Sequence, residues 1–193
     1  GHLLRDAGYH TVFGGKEHLR PQTAEDYGFD ILTRDERSGL AAEAVRFFQQ
    51  EHERPWALCL HFINPHDICC FHALAEYEAT QGKTPYDPPV SVRVATLRRA
   101  MQRPAGVDEE TFFADHCPPL PDNAAPQADE PEGVATLLDQ RPFRRRARDE
   151  WTQRDWRLHR WAYCRLTEMV DAQISVVLDA LDDHGLADDT VVI

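Results

Sequence analysis

Long apolar runs, paired cysteines and an excess of positive charge are what this sequence lacks. No stretch approaches the roughly 20 apolar residues that a membrane-crossing helix needs. Lys and Arg number 21 against 33 Asp and Glu, for a net charge of −12. Binding nucleic acid or an anionic membrane needs a basic face, so neither is an expected partner. The one basic run, "FRRRARDEW" at 143–151, is read as a solvated segment. None of the five cysteines (Cys59, Cys69, Cys70, Cys117, Cys164) forms a C-x-x-C pair, and no zinc-ribbon spacing occurs. Cys59 and Cys164 lie in apolar strand-like and helical runs, where inert buried thiols are the default. No internal repeat and no signal peptide is visible. The chain starts at Gly1 inside a helical pattern and closes on the strand-like "TVVI". An internal piece of a longer protein is therefore expected, and its compartment is not legible from its termini.

What is present suits a globular α/β fold. The 193 residues are 42% hydrophobic and 28% charged, enough for one domain with a sizeable core, expected to span 1–193. His2 to Ala7 reads as the end of a helix with Gly8 past its C-terminus, and "YHTVFG" as a strand. Residues 21–36 mix Pro, Gly and acids irregularly and read mostly as loop. From Ser38, a candidate N-cap, Leu40, Ala44, Val45 and Phe48 repeat at helical spacing. "WALCLHFI" at 56–63 is a continuous apolar run, suited to a parallel strand covered on both faces. Seven of the 13 prolines fall between Pro104 and Pro142, so residues 103–150 read as a long Pro-rich, acidic surface excursion, with 117–133 outside any regular element. A short helix is expected over 90–101. Leu158, Trp161, Ala162, Leu166, Met169, Val170, Ile174, Val177, Leu178 and Leu181 trace one helical stripe, closed by His184-Gly185. "LADDTVVI" then predicts a loop and a strand. The alternation predicts helices packed on both faces of a mostly parallel sheet.

Ligands of such sheets gather at the carboxyl ends of strands. Two strands end in polar, reactive residues: Gly14-Gly15-Lys16-Glu17-His18 and Asn64-Pro65-His66-Asp67. Glycines allow close backbone approach. A lysine supplies compact charge for an oxyanion, and a histidine passes protons near neutral pH. One lysine and two histidines at strand ends suit a tetrahedral anion and cleavage of its ester. Each run taken alone is also an ordinary turn composition.

"LLRDAGYHTVFGGKEHL" resembles the second sulfatase signature, AGYxTxxxGKxHL. "PWALCLHFINPHD" is similar to the strand and NPH turn of the same family, and "WAYCRLTEMVDAQISVVLDALDDHGLADDTVVI" to its long C-proximal helix and strand. The resemblance implies an alkaline-phosphatase-like α/β fold, incomplete at both ends, and hydrolysis of a sulfate ester on a small molecule or carbohydrate. It places a sulfate-binding lysine on Lys16. His18 takes the role of the histidine that hydrogen-bonds the formylglycine nucleophile, and His66 that of the one that contacts sulfate and protonates the leaving alcohol. Asp67 beside it is expected to face substrate. The family uses a formylglycine made from C/S-x-P-S-R and a divalent metal, usually calcium, held by Asp and Asn side chains. That motif is absent from these residues, as are the Asp pairs, so no metal ligand is assigned and both groups are expected outside this chain, which alone should be inactive. Glu17 stands where the family often has an aromatic residue. A phosphodiesterase or phosphonate monoester hydrolase of the same superfamily, and a non-catalytic sulfatase-like binding module, are the alternatives.

"HDICCFH" at 66–72 gathers metal-ligand types, but adjacent cysteines rarely both reach one tetrahedral ion. A turn leading into a pocket wall is the preferred reading. Trp151, Trp156 and Trp161 read as packing residues rather than a sugar platform.

Overall fold

A computed structural model describes residues 1–80 and 91–193. They form two compact units, Gly1–Asn64 with Glu168–Ile193, and Pro65–Thr167.

In the first unit, helix α1 (His2–Asp6) leads to strand β1 (His10–Gly15), then β2 (Asp30–Thr33), helix α2 (Leu40–Phe48) and strand β3 (Trp56–His61). The strands form a parallel sheet in the order β2-β1-β3. Val12 lies beside Leu58 and Phe13 beside Cys59. Central β1 is buried from Thr11 to Gly15. The expected doubly covered strand, β3, is only partly buried and ends at His61, because it lies at the edge of this sheet. One face carries α2 and the second half of helix α8 (Gln153–Asp183): Val12, Ala41, Ala44, Phe47, Phe48, Val177, Ala180 and Leu181 form one buried cluster. Burial of each large side chain there contributes about 1.5–3 kcal/mol. On the other face the Thr11 hydroxyl donates to the Gly28 carbonyl at 2.5 Å, Arg5 of α1 reaches Thr11, and Phe29 packs edge-on to Phe13.

Three local expectations change. Residues 21–36 are not all loop, because Asp30–Thr33 finds a ladder partner in β1; four residues are too few to announce a strand by periodicity. Ser38 does not cap α2, whose N-cap is Gly39. The Asp35 carboxylate accepts instead from the N–H groups of Arg37, Ser38 and Gly39 at 2.8, 3.1 and 2.8 Å. Those backbone donors, Arg37 first, hold its carboxyl below the usual carboxylate range. The expected strand at 190–193 does not form. A short 3-10 helix (Ala187–Asp189) precedes it, and Val191 and Val192 stay exposed with no ladder among the described residues.

Helix α8 spans the expected stripe, but its buried face is narrower. Ala162, Leu166, Val177, Ala180 and Leu181 are buried, whereas Ile174 and Leu178 are exposed. It closes as predicted at His184-Gly185: Gly185, at φ 66°, donates to the Asp182 carbonyl and Leu186 to that of Leu181, the paired bonds of a Schellman motif.

The second unit holds a 3-10 helix (His66–Cys70) and helices α3 (Phe71–Ala79), α4 (Ser91–Met101), α5 (Glu109–Thr111), α6 (Glu132–Asp139), α7 (Pro142–Glu150) and the first half of α8. The predicted helix at 90–101 is α4; Val90 lies outside the described residues. Residues 117–131 are irregular, as their prolines demand, but the excursion then becomes two helices. The basic run is helix α7 rather than wholly solvated: Pro142 opens it and Phe143 and Ala147 are buried. The Arg157 side chain ties the irregular stretch down, donating to the carbonyls of Pro118 (3.1 Å), Cys117 (2.6 Å) and Phe113. Trp161 packs edge-on to Phe112, and its Nε1 donates to the Gln102 carbonyl. Trp151 and Trp156 join Phe71, His72 and His159 in an aromatic cluster.

Candidate active site

In the first unit the end of β1 is shaped by Gly15. Its φ is 91°, and a Cβ there would fall 2.3 Å from the His61 carbonyl oxygen. Only glycine fits both conditions. At Gly14 a Cβ would meet only the flexible Leu40 Cδ1 below 3.0 Å. The close approach lets the Lys16 N–H donate to His61 O at 2.6 Å, continuing the ladder one residue past the strand. Lys16 is thereby presented at the carboxyl edge of the central strand, about one-third exposed. Its Nζ lies 3.8 Å from Glu36 Oε2, and Glu36 Oε1 lies 3.8 Å from Arg37 Nη2. Ion pairs of this length and exposure contribute at most about 1 kcal/mol, so an anionic ligand can replace the Glu36 carboxylate on Lys16 at little cost. His18, two residues on, is exposed and makes no hydrogen bond or ion pair among the described residues. Glu17 turns away: Oε1 accepts from the Ala24 N–H at 3.0 Å and Oε2 from Arg34 Nη1 at 2.8 Å. It anchors the segment that carries the two candidates.

In the second unit the 3-10 helix carries the other two. His66 is exposed, with Nδ1 3.8 Å from Cys69 Sγ. Asp67 is wholly buried, and its Oδ1 lies 3.9 Å from Arg93 Nε on α4. The same guanidinium donates through Nη1 to Cys70 Sγ at 3.8 Å. Burial, then the neighbouring Cys70, pushes the Cys69 thiol up to about 11. Glu36, Arg37 and Arg93 were not singled out in the sequence. Glu36 stands 20 positions from Lys16 and Arg93 26 from Asp67, while Arg37 acts through its neighbour Glu36, and no periodicity links such positions.

Among the described residues no group of three His, Cys, Asp or Glu side chains could hold a metal ion. The donors among the described residues therefore do not form a calcium cradle, and the sequence holds no C/S-x-P-S-R to yield formylglycine.

A parallel sheet whose central strand ends on glycine and presents a lysine and a histidine makes this an α/β protein of the kind that gathers ligands at its strand ends. A family model described as Sulfatase matches residues 1–193. The chain belongs to the Sulfatase family, and at family level it is a sulfatase-type hydrolase. Neither the curated proteins nor the solved structures contain a match.

Proposed function

We propose that these residues serve a sulfuric ester hydrolase acting on a small-molecule or carbohydrate sulfate. The observation that carries the reading is Lys16: a cation about one-third exposed, held at the strand end by Gly15 and resting on a carboxylate that an anion can displace. In this reading Lys16 holds a sulfate oxygen as negative charge grows on the ester. His18 exchanges a proton at the reacting centre. His66 contacts the sulfate and delivers a proton to the leaving alcohol oxygen, so that an alcohol departs rather than an alkoxide. Asp67 pairs with Arg93 of α4, which holds the 3-10 helix carrying His66 against that helix. The family's formylglycine and divalent ion are assigned to residues other than these 193.

The test uses the full-length protein with matured formylglycine. Lys16→Ala, His18→Ala and His66→Ala are each expected to lower kcat/KM for an aryl sulfate by roughly 100-fold or more. Near-normal rates in all three would sink the assignment. An aryl phosphonate monoester assayed in parallel and turned over faster than the sulfate would transfer the reading to that ester.

A further inference from the structure

The proposed reaction leaves two adjacent thiols unused. Cys69 Sγ and Cys70 Sγ lie 3.7 Å apart, one exposed and the other half-buried. Each has its own polar neighbour: His66 Nδ1 at 3.8 Å from Cys69, and the Arg93 guanidinium donating to Cys70. We propose that Cys69 and Cys70 are a reversible thiol–disulfide pair that controls the hydrogen bonding of His66.

Side-chain rotation must bring the sulfurs to about 2.05 Å. Consecutive Cα atoms stand about 3.8 Å apart, below the roughly 4.4–6.8 Å that disulfides usually span. The resulting bond is strained and easily reduced, which suits a switch rather than a staple. Cys70, with the Arg93 guanidinium beside its sulfur at 3.8 Å, is assigned as the attacking group. Cys69, with its thiol 3.7 Å from Cys70 and 3.8 Å from His66 Nδ1, acts second. The co-reactant is a small disulfide such as oxidised glutathione. Cys70 attacks one of its sulfurs, and the first thiol leaves with the Cys70 proton. Cys69 then passes its proton through His66 Nδ1 to the second departing thiolate and bonds to the Cys70 sulfur. One small disulfide is reduced to two thiols, and one protein disulfide forms. Oxidation removes the Cys69 thiol from His66 and the Cys70 acceptor from Arg93. The consequence for catalysis, though not the redox chemistry, rests on the role proposed for His66.

The experiment equilibrates the full-length protein at graded ratios of oxidised to reduced glutathione, alkylates the denatured chain and weighs its peptides. Cys69 and Cys70 are expected to lose alkylation together, leaving one peptide lighter by two hydrogens, and dithiothreitol should restore it. Cys69→Ser should trap glutathione on Cys70. Thiols still alkylated at the most oxidising ratio, a stable glutathione adduct on the wild type, or bonding to Cys59, Cys117 or Cys164 would overturn the pair. Turnover of an aryl sulfate should fall at least about tenfold on oxidation and recover on reduction. Oxidation with unchanged turnover overturns the link to His66. Oxidation as described in a protein with no sulfate-ester turnover in either state refutes the sulfatase reading and leaves the thiol pair standing.

Discussion

Acidification should unfold this protein through His72, before most carboxylates are protonated. The His72 ring stacks on Trp151 at 4.7 Å and 3°, with His159 at 5.0 Å and Phe71 edge-on. Burial, then the charges of His159 and Arg144, lowers its pKa from 6.5 to about 4. Burial lowers His159 as well. Above pH 6.5 the ring is neutral in both folded and unfolded chains, and the shift has no effect. Below 6.5 the unfolded chain binds a proton that the folded one refuses, so stability falls by about 1.4 kcal/mol per pH unit until about pH 4. The full window is worth about 3 kcal/mol from His72 alone, a large share of a typical domain's 5–15 kcal/mol. The assay is urea unfolding followed by tryptophan fluorescence at pH values from 7.5 to 4. At an m of about 1–3 kcal/mol/M, the midpoint should drop by about 1–3 M. His72→Phe keeps an aromatic ring on Trp151 without a titrating group, and should remove most of the slope. Equal losses in wild type and His72→Phe, or an imidazole that titrates above pH 6 by NMR, would refute the argument.

Gly15→Ala should cost about 2–3 kcal/mol, from a left-handed backbone without glycine and a weakened Lys16 N–H bond, whereas Gly14→Ala should cost under about 1 kcal/mol; equal urea midpoints would show that the positive φ imposes no constraint. Arg157→Ala removes three carbonyl partners, and about 3 kcal/mol of stability is expected to go with them, seen as faster alkylation of Cys117 at sub-denaturing urea. Glu36→Gln should leave stability within about 1 kcal/mol yet strengthen inhibition of aryl-sulfate turnover by inorganic sulfate several-fold, since Lys16 then has no competing carboxylate. Unchanged inhibition would mean that Glu36 does not occupy the anion position.

The elements legible in the sequence were those with long periodic patterns or strong stops. Helix α8 and its end at His184-Gly185 follow from stripe and cap, and α2 follows from Leu40, Ala44 and Phe48. The short elements were not legible. Asp30–Thr33 becomes a strand only because β1 offers it a ladder, and "TVVI", with better strand composition, stays unpaired among the described residues. Helix α7 hid behind its arginines, because its buried face is only Phe143 and Ala147. Of the candidate site, Lys16, His18 and His66 were singled out from their motifs. The burial of Asp67 and its pairing with Arg93 were not readable, because Arg93 comes from a helix 26 positions away.

The sequence by itself determined the family and the α/β class and singled out the candidate side chains, because residue type and local spacing are written in the chain. Tertiary structure decided the charge and proton environment of those side chains: Glu36 against Lys16, Arg93 between Asp67 and Cys70, the Cys69 thiol beside His66, and His72 stacked on Trp151. The reason is range. Helical caps and stripes act over a few residues, whereas charges and buried rings act through space on whatever the fold brings near.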